Sequence, residues 1–412
     1  MLNSETKSDF TGHVVTLRNR FFRAYGFWHW GEGLQTVLFT WYMAFHANLS
    51  ATEIGFYQAL VLSPFLIFTI SGGALTDRIG ARLSYVLSTS LFGIILISYG
   101  ILDHYLGFVA ELFFLYCILA GIVSAILNPA IDTFIPGASN LRVQDNSLLA
   151  ANAHNVAKLT GNLTGLLLPI LTATGGFVVN GILMMVSVGF LSAHKPAAPP
   201  PPSTTPLDAI SDKRIFRRIV DHYRACPENF DIFLSSALLG LIIVPAGYIL
   251  MPLVLRQRFP DYGDLIAFIG ISSWIGAILA TVTAKQLSPK IHKPGVVSLS
   301  IWGGYGIGLL VLTVVSSFQA LCIAVFVFGS VKVGKALVYG NYLHNSPIRE
   351  RGLFVAIDQT AFWGLATLGT AGMGFLVDQI GLNPTIIMTS ILITLGVVTL
   401  TLRGNFIRMV QA

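Results

Sequence analysis

Among the ionisable residues inside otherwise apolar stretches of the chain, the candidates to carry chemistry are His29, Glu32, Asp132, Lys158, Lys332, Lys335 and Asp358. Glu32 lies about nine residues into an apolar run, hence about 14 Å deep on a helix that rises about 1.5 Å per residue. A carboxylate at that depth can accept a proton from one side and release it to the other, or it can sit in a permanent ion pair, with Lys158 at similar depth as one partner. His29 precedes it by three positions on nearly the same helical face, where it can relay protons, hydrogen-bond a ligand or simply pack. Asp132 and Asp358 are the other proton-coupling candidates. The cations Lys158, Lys332 and Lys335 either attract an anion into the interior or are neutralised by the three acids. Trp28 and Trp30 line a cavity for a flat or amphiphilic molecule or pack conventionally, and being two apart they cannot both point the same way. Asn128, Asn155, Gln359 and Trp363, with Asn152 and Asn162, add neutral polar or stacking groups.

The elements that hold these residues are dictated by composition. Of 412 residues 54% are hydrophobic and only 11% charged, with a mean hydropathy of +0.72, far from the balance of a soluble domain. Apolar runs recur along the whole length, several exceeding the roughly 20 residues that a helix needs to cross hydrocarbon. They predict six spans at about 22–46, 53–75, 83–102, 107–135, 146–172 and 175–193, and six more at about 230–255, 264–286, 294–316, 318–343, 352–376 and 383–402. The expected fold is all-α, with twelve transmembrane helices in two pseudo-symmetric six-helix bundles, residues 22–193 and 230–403. A tail of 21 residues without an apolar core precedes them, with no cleavable signal peptide expected, and residues 404–412 follow as a second tail. Between the bundles, residues 194–229 open with a proline-rich run ending at Pro206, which favours an extended chain. Asp212 to Arg224 then carries Ile215, Phe216, Ile219, Val220 and Tyr223 at helical spacing among basic residues, the pattern of an amphipathic helix on the inner leaflet.

Charge orients this layout. With the first residue inside, twenty Lys and Arg fall on the inner side and only Arg256 and Arg258 on the outer, so both termini are expected in the cytoplasm and the chain in the cytoplasmic (inner) membrane. The same bias accounts for the net charge of +6 without nucleic acid. Cys117, Cys226 and Cys322 suggest neither a disulfide nor a metal site. No phosphate-binding glycine loop, H-E-x-x-H or nucleophile elbow occurs, so neither an enzyme nor a cofactor is expected. The expected partners are a small molecule, protons and the lipid bilayer, and a monomer suffices. A weak internal repeat pairs Asn128 to Asn155 with Tyr339 to Asp358, the polar junctions of spans four to five and ten to eleven.

Gly73, Leu75, Asp77, Arg78, Gly80 and Arg82 together resemble the loop signature G-x-L-x-D-R-x-G-R-R of the major facilitator superfamily, with Ala81 in place of one basic residue. Leu148 to Asn155 leading to Lys158, Gly161 and Gly165, and Arg351 to Gly369, resemble the branch that contains the enterobactin exporter and macrolide efflux proteins. The resemblance implies two helical bundles around a central cavity, alternating access, and proton-coupled export of a small polar or anionic metabolite such as a siderophore. A multidrug antiporter, or an importer of an organic anion or metal chelate, are the alternatives. It also implies that Asp77 and Arg78 latch the halves in the outward-open state, with Gly73, Gly80 and Arg82 in the same loop, and that Lys158 takes the place of a basic residue common in the branch. Asn162 stands where proton antiporters commonly have the proline of a Gly-Pro step.

Overall fold

The computed structural model describes residues 19–132, 134–135, 138–139, 143–192, 213–287, 290–347 and 351–409, and among them there are helices and no strand. The side chains of Gly73, Asp77, Arg78, Asn128 and Asp132, the proline-rich run and the N-terminal tail lie outside the described residues. The first spans are α1 (Arg20–Trp41, continued by a π turn Tyr42–His46), α2 (Ala51–Ile79), α3 (Ala81–Leu106), α4 (Ala110–Asp132), α5 (Val143–Thr164) and α6 (Leu168–Ser192). The linker contributes α7 (Lys213–Ala225). Span seven comprises α8 (Pro227–Leu238), two π turns and α9 (Met251–Arg258), and span eight is α10 (Ala267–Leu287). Span nine is α11 (Pro294–Leu309) and span ten comprises α12 (Phe318–Phe328) and α13 (Val331–Asn345). Span eleven comprises α14 (Arg351–Gln359), a π turn Thr360–Gly364 and α15 (Leu365–Ile380); α16 (Leu382–Arg403) and a short α17 (Asn405–Arg408) finish the chain.

Long helices are the only answer these runs permit, because hydrocarbon offers no water to satisfy exposed backbone groups. Ten helical stretches among the described residues are long and apolar enough to cross a membrane. One of them, Leu149–Ser192, has 44 residues, about twice a single crossing. Counting it as two and adding α1, whose polar residues and tryptophans keep its mean hydropathy too low for the ten, gives the expected twelve. The charged turn is shorter than the sequence suggests: α2 stays helical through Asp77 and Arg78 to Ile79, and the chain reverses at Gly80, whose φ of 86° only glycine adopts without strain. Arg82 follows in the first turn of α3 and donates to the Ser192 carbonyl at the end of α6.

The chain divides into two compact units, 1–42 with 67–203 and 43–66 with 204–412. In the first, α1 and α5 touch through glycines. A β-carbon on Gly33 would lie 2.5 Å from the Lys158 carbonyl oxygen, and one on Gly161 would lie 2.2 Å from that of Trp30. The second unit repeats the device between spans seven and eleven, where Gly240 would meet the Phe362 carbonyl and Gly369 the Leu241 carbonyl, each at 2.1 Å. Small residues let backbones approach where lipid supplies no hydrophobic drive for association.

The start of α2 belongs to this second unit. Asp378 on α15 accepts the amide hydrogens of Ala51 (3.3 Å) and Thr52 (2.7 Å), capping the positive end of α2. Arg256 on α9 donates to the carbonyls of Ala44 and Leu49 just before it.

Replacing Gly161 by Val should force α1 from α5 at a cost of about 3 kcal/mol or more. Gly26→Ala, where no atom lies within 4 Å of the new carbon, should change stability by less than about 1 kcal/mol. Thermal unfolding in detergent distinguishes the two, and a Gly161→Val protein as stable as Gly26→Ala would refute the packing assignment.

Candidate functional site

Glycine contact between α1 and α5 fixes the depth at which their polar side chains meet. Glu32 is one residue before Gly33, and Lys158 supplies the carbonyl against which Gly33 packs. Their side chains therefore converge: Lys158 Nζ donates to Glu32 Oε2 at 2.8 Å, and His29 Nδ1 lies 2.7 Å from the same oxygen. Lys158 and His29 are buried, at 10% and 8% side-chain exposure, whereas Glu32 keeps 35%. The carboxylate is thus held by interior bases while one side stays reachable. Among the described residues, His29 Nε2 is buried with no hydrogen-bond partner. His154, four residues before Lys158, sets its ring against that of His29 at 4.2 Å between centroids.

Neutral groups brace the pair. Asn162 donates to the carbonyls of Lys158 (2.8 Å) and Gly33 (3.4 Å), so the residue in the proline position of an antiporter motif here ties the two backbones together. Trp30 donates to Thr164 at 2.8 Å and is half-buried. Trp28 is 1% exposed, with its ring tilted 51° to that of Phe92 at 5.9 Å between centroids. Asn155 is half-buried on α5.

The second unit has its own pair. Asp358 is wholly buried; Lys335 Nζ donates to its Oδ2 at 2.9 Å, and Ser236 on α8 donates to its Oδ1. The Lys335 ammonium also lies 4.2 Å from the centroid of the Phe362 ring, an attraction to the ring face. Lys332 does not join it: it is exposed and stacks 3.4 Å over Trp274. Gln359 hydrogen-bonds Tyr339. Trp363 packs edge-on to Phe362 and lies 6.4 Å from the Phe65 ring. The structure thus brings together Glu32, His29 and Lys158 in one cluster and Asp358 and Lys335 in another.

Sequence reasoning missed His154 and Ser236. His154 could have been found from its spacing to Lys158, since residues four apart share a helical face. Ser236 carries no comparable signal. A carboxylate flanked by bases can exchange one proton and can trade its ammonium partner for a diffusible anion.

Apolar spans with a buried acid–base pair in each half are an arrangement suited to a carrier of small solutes through a membrane. The sequence profile of the Major Facilitator Superfamily matches residues 22–343, and the chain belongs to that family. No curated protein sequence matches it. Among solved structures it is similar to the nucleoside transporter NupG, at 13% identity over 94% of this chain and 98% of that one with a TM-score of 0.72. It is also similar to a POT family transporter in complex with 5-aminolevulinic acid (13% identity, 93% and 95% coverage, TM-score 0.70). A D-xylose–proton symporter is similar at 17% identity, 92% and 95% coverage and a TM-score of 0.69. At such identities the likeness is one of fold.

If Lys158 and Glu32 form one unit, Lys158→Met should destabilise the protein by about 1–3 kcal/mol by leaving Glu32 without its ammonium. Adding Glu32→Gln should recover part of that loss. Additive losses in a thermal double-mutant cycle would show that the two side chains are not coupled.

Proposed function

We propose that this chain is a proton-coupled secondary transporter of a small polar or anionic metabolite, working by alternating access in the cytoplasmic membrane with both termini inside. The observation that carries the proposal is the shared oxygen of Glu32, which holds Lys158 and His29 at once. With Glu32 ionised, Lys158 is neutralised. A proton on Glu32 cancels the carboxylate and leaves an interior ammonium and an imidazole available to an anion. Proton and anion binding are then linked through one residue.

Export of a secreted metabolite such as a siderophore is the reading that the branch resemblance supports. The electrostatics of the first cluster favour a second reading: a proton that frees Lys158 promotes anion binding, so proton and anion travel together, which suits uptake of an organic anion or a metal–siderophore chelate. A multidrug antiporter for lipophilic cations is supported less, because Lys158 and Lys335 neutralise the two acids that would attract a cation. Lys332, Trp30, Asn155, Gln359 and Trp363 remain proposed cavity residues, and Asp77 and Arg78 the proposed latch.

In reconstituted vesicles under an imposed pH gradient, Glu32→Gln should abolish proton-linked flux of organic anions while the protein stays folded; undiminished flux would remove Glu32 from the mechanism. Lys158→Ala should raise the half-saturation concentration of an anion about tenfold or more relative to a neutral analogue, the loss of one charge-assisted hydrogen bond. Equal losses for both would make Lys158 structural. Anion accumulation along the direction of proton flow would favour uptake, and against it export.

A further inference from the structure

The linker helix α7 is divided lengthwise by chemistry. Arg217, Arg218 and Arg224 are exposed, whereas Ile219, Val220 and Tyr223 on the opposite sector are half-buried. Asp221 is the acid on the arginine side, 3.9 Å from Arg217, and with side chains 59% and 87% exposed that pair offsets little. The half-buried face packs on the protein and the arginines are left outward, a cationic surface at the level where span seven begins.

The end of α7 is also fastened. The Tyr223 hydroxyl lies 3.1 Å from that of Tyr342 on α13, and Tyr342 donates to the Phe354 carbonyl on α14 at 2.9 Å. The Tyr223 ring packs against Phe233 and Phe354, with centroids 5.5 and 5.8 Å away. His222 stacks on Phe354 at 4.4 Å, and its Nε2 lies 3.1 Å from Asn229, which itself donates to the Tyr342 carbonyl. Tyr342 follows Lys335 by about two helical turns, and Phe354 precedes Asp358 by about one. The helix that carries the arginines is therefore joined, through a few hydrogen-bonded aromatic rings, to the two elements that hold the buried pair of the second unit.

We infer that α7 binds the headgroups of anionic phospholipids through Arg217, Arg218 and Arg224, and that this contact holds the neighbouring ends of α13 and α14 in place. Guanidinium groups match phosphate in pairs of hydrogen bonds, and the surface potential of an anionic leaflet draws such segments down. Pro227 begins α8 directly after α7, so the helix lies where span seven enters the membrane, at the face that the charge count assigns to the cytoplasm. The inference rests on that orientation and not on proton coupling.

The test is amide hydrogen exchange across 213–225 in the full chain, in nanodiscs of phosphatidylcholine with and without phosphatidylglycerol. Phosphatidylglycerol should slow exchange in the native protein and in the triple variant R217K/R218K/R224K, but not in R217Q/R218Q/R224Q. The apparent affinity should fall roughly fivefold for each arginine removed, at about 1 kcal/mol each. Unchanged exchange across 382–403, the helix α16, verifies that the variants remain folded. Equal protection of the glutamine variant, absence of protection in the native protein, or protection by inorganic phosphate alone in phosphatidylcholine would each overturn the proposal. Glu32→Gln should keep the lipid effect, so failure of proton coupling leaves this inference standing.

Discussion

A charge carried into hydrocarbon needs its partner within hydrogen-bonding reach, and that partner sits on another helix. This requirement organises both halves of the chain. Glu32 and Lys158 meet because α1 and α5 touch at Gly33 and Gly161, and side chains any larger than hydrogen there would move the ammonium away from the carboxylate. Backbone contact and charge pairing are therefore one feature: the glycines set the distance, and the ion pair is what makes that distance worth holding. Asn162 ties the arrangement by bonding the carbonyls of both helices.

The second half obeys the same rule with different residues. Its first and fifth spans cross at Gly240 and Gly369, and its acid, Asp358, sits beside that crossing. The base, however, comes from span ten, and a serine on α8 supplies the second bond. Both helices at this crossing carry π turns, Leu239–Ile243 and Thr360–Gly364, and the contacting Gly240 and Phe362 lie within them. A π turn adds a residue to one turn and loosens the local ladder, a feature frequent where helices serve a site. The first half is held mainly by charge and glycine, whereas the second adds local distortion of its rods.

Much of this was legible in the sequence because membranes quantise structure. Span length, the proline-rich interruption and the count of basic residues specify depth and order, so Glu32 and Lys158 could be placed at matching depth from hydropathy alone. Rotation about the helix axis is the quantity that a sequence leaves open. Lys332 and Lys335 are three apart and share a broad face, yet about 60° separates them, enough to send one to Asp358 and the other onto Trp274. The same freedom left Glu32 and Asp132 as rival partners for Lys158. Helix ends were hidden for another reason. Asp103, placed just beyond span three by hydropathy, belongs to α3 and accepts from the buried Tyr42 hydroxyl, because the helix continues to Leu106 and stops at Gly107. Asp378 and Arg256 act on backbone groups of a distant loop, and no periodicity announces such contacts.

One oxygen atom receives both neighbouring side chains of the first cluster. Glu32 Oε2 faces Lys158 and His29 together, so adding a proton to it alters two neighbours at once, and the change falls on helices whose separation is already at its steric minimum. Glycine-lined helices cannot move closer to compensate; they can slide or rotate. Under the proposed function, the His29 Nε2 and the exposed flank of Glu32 are the groups that an incoming anion would meet. Under the proposed alternating access, tight packing would let a change at this oxygen be answered by movement of the two helices.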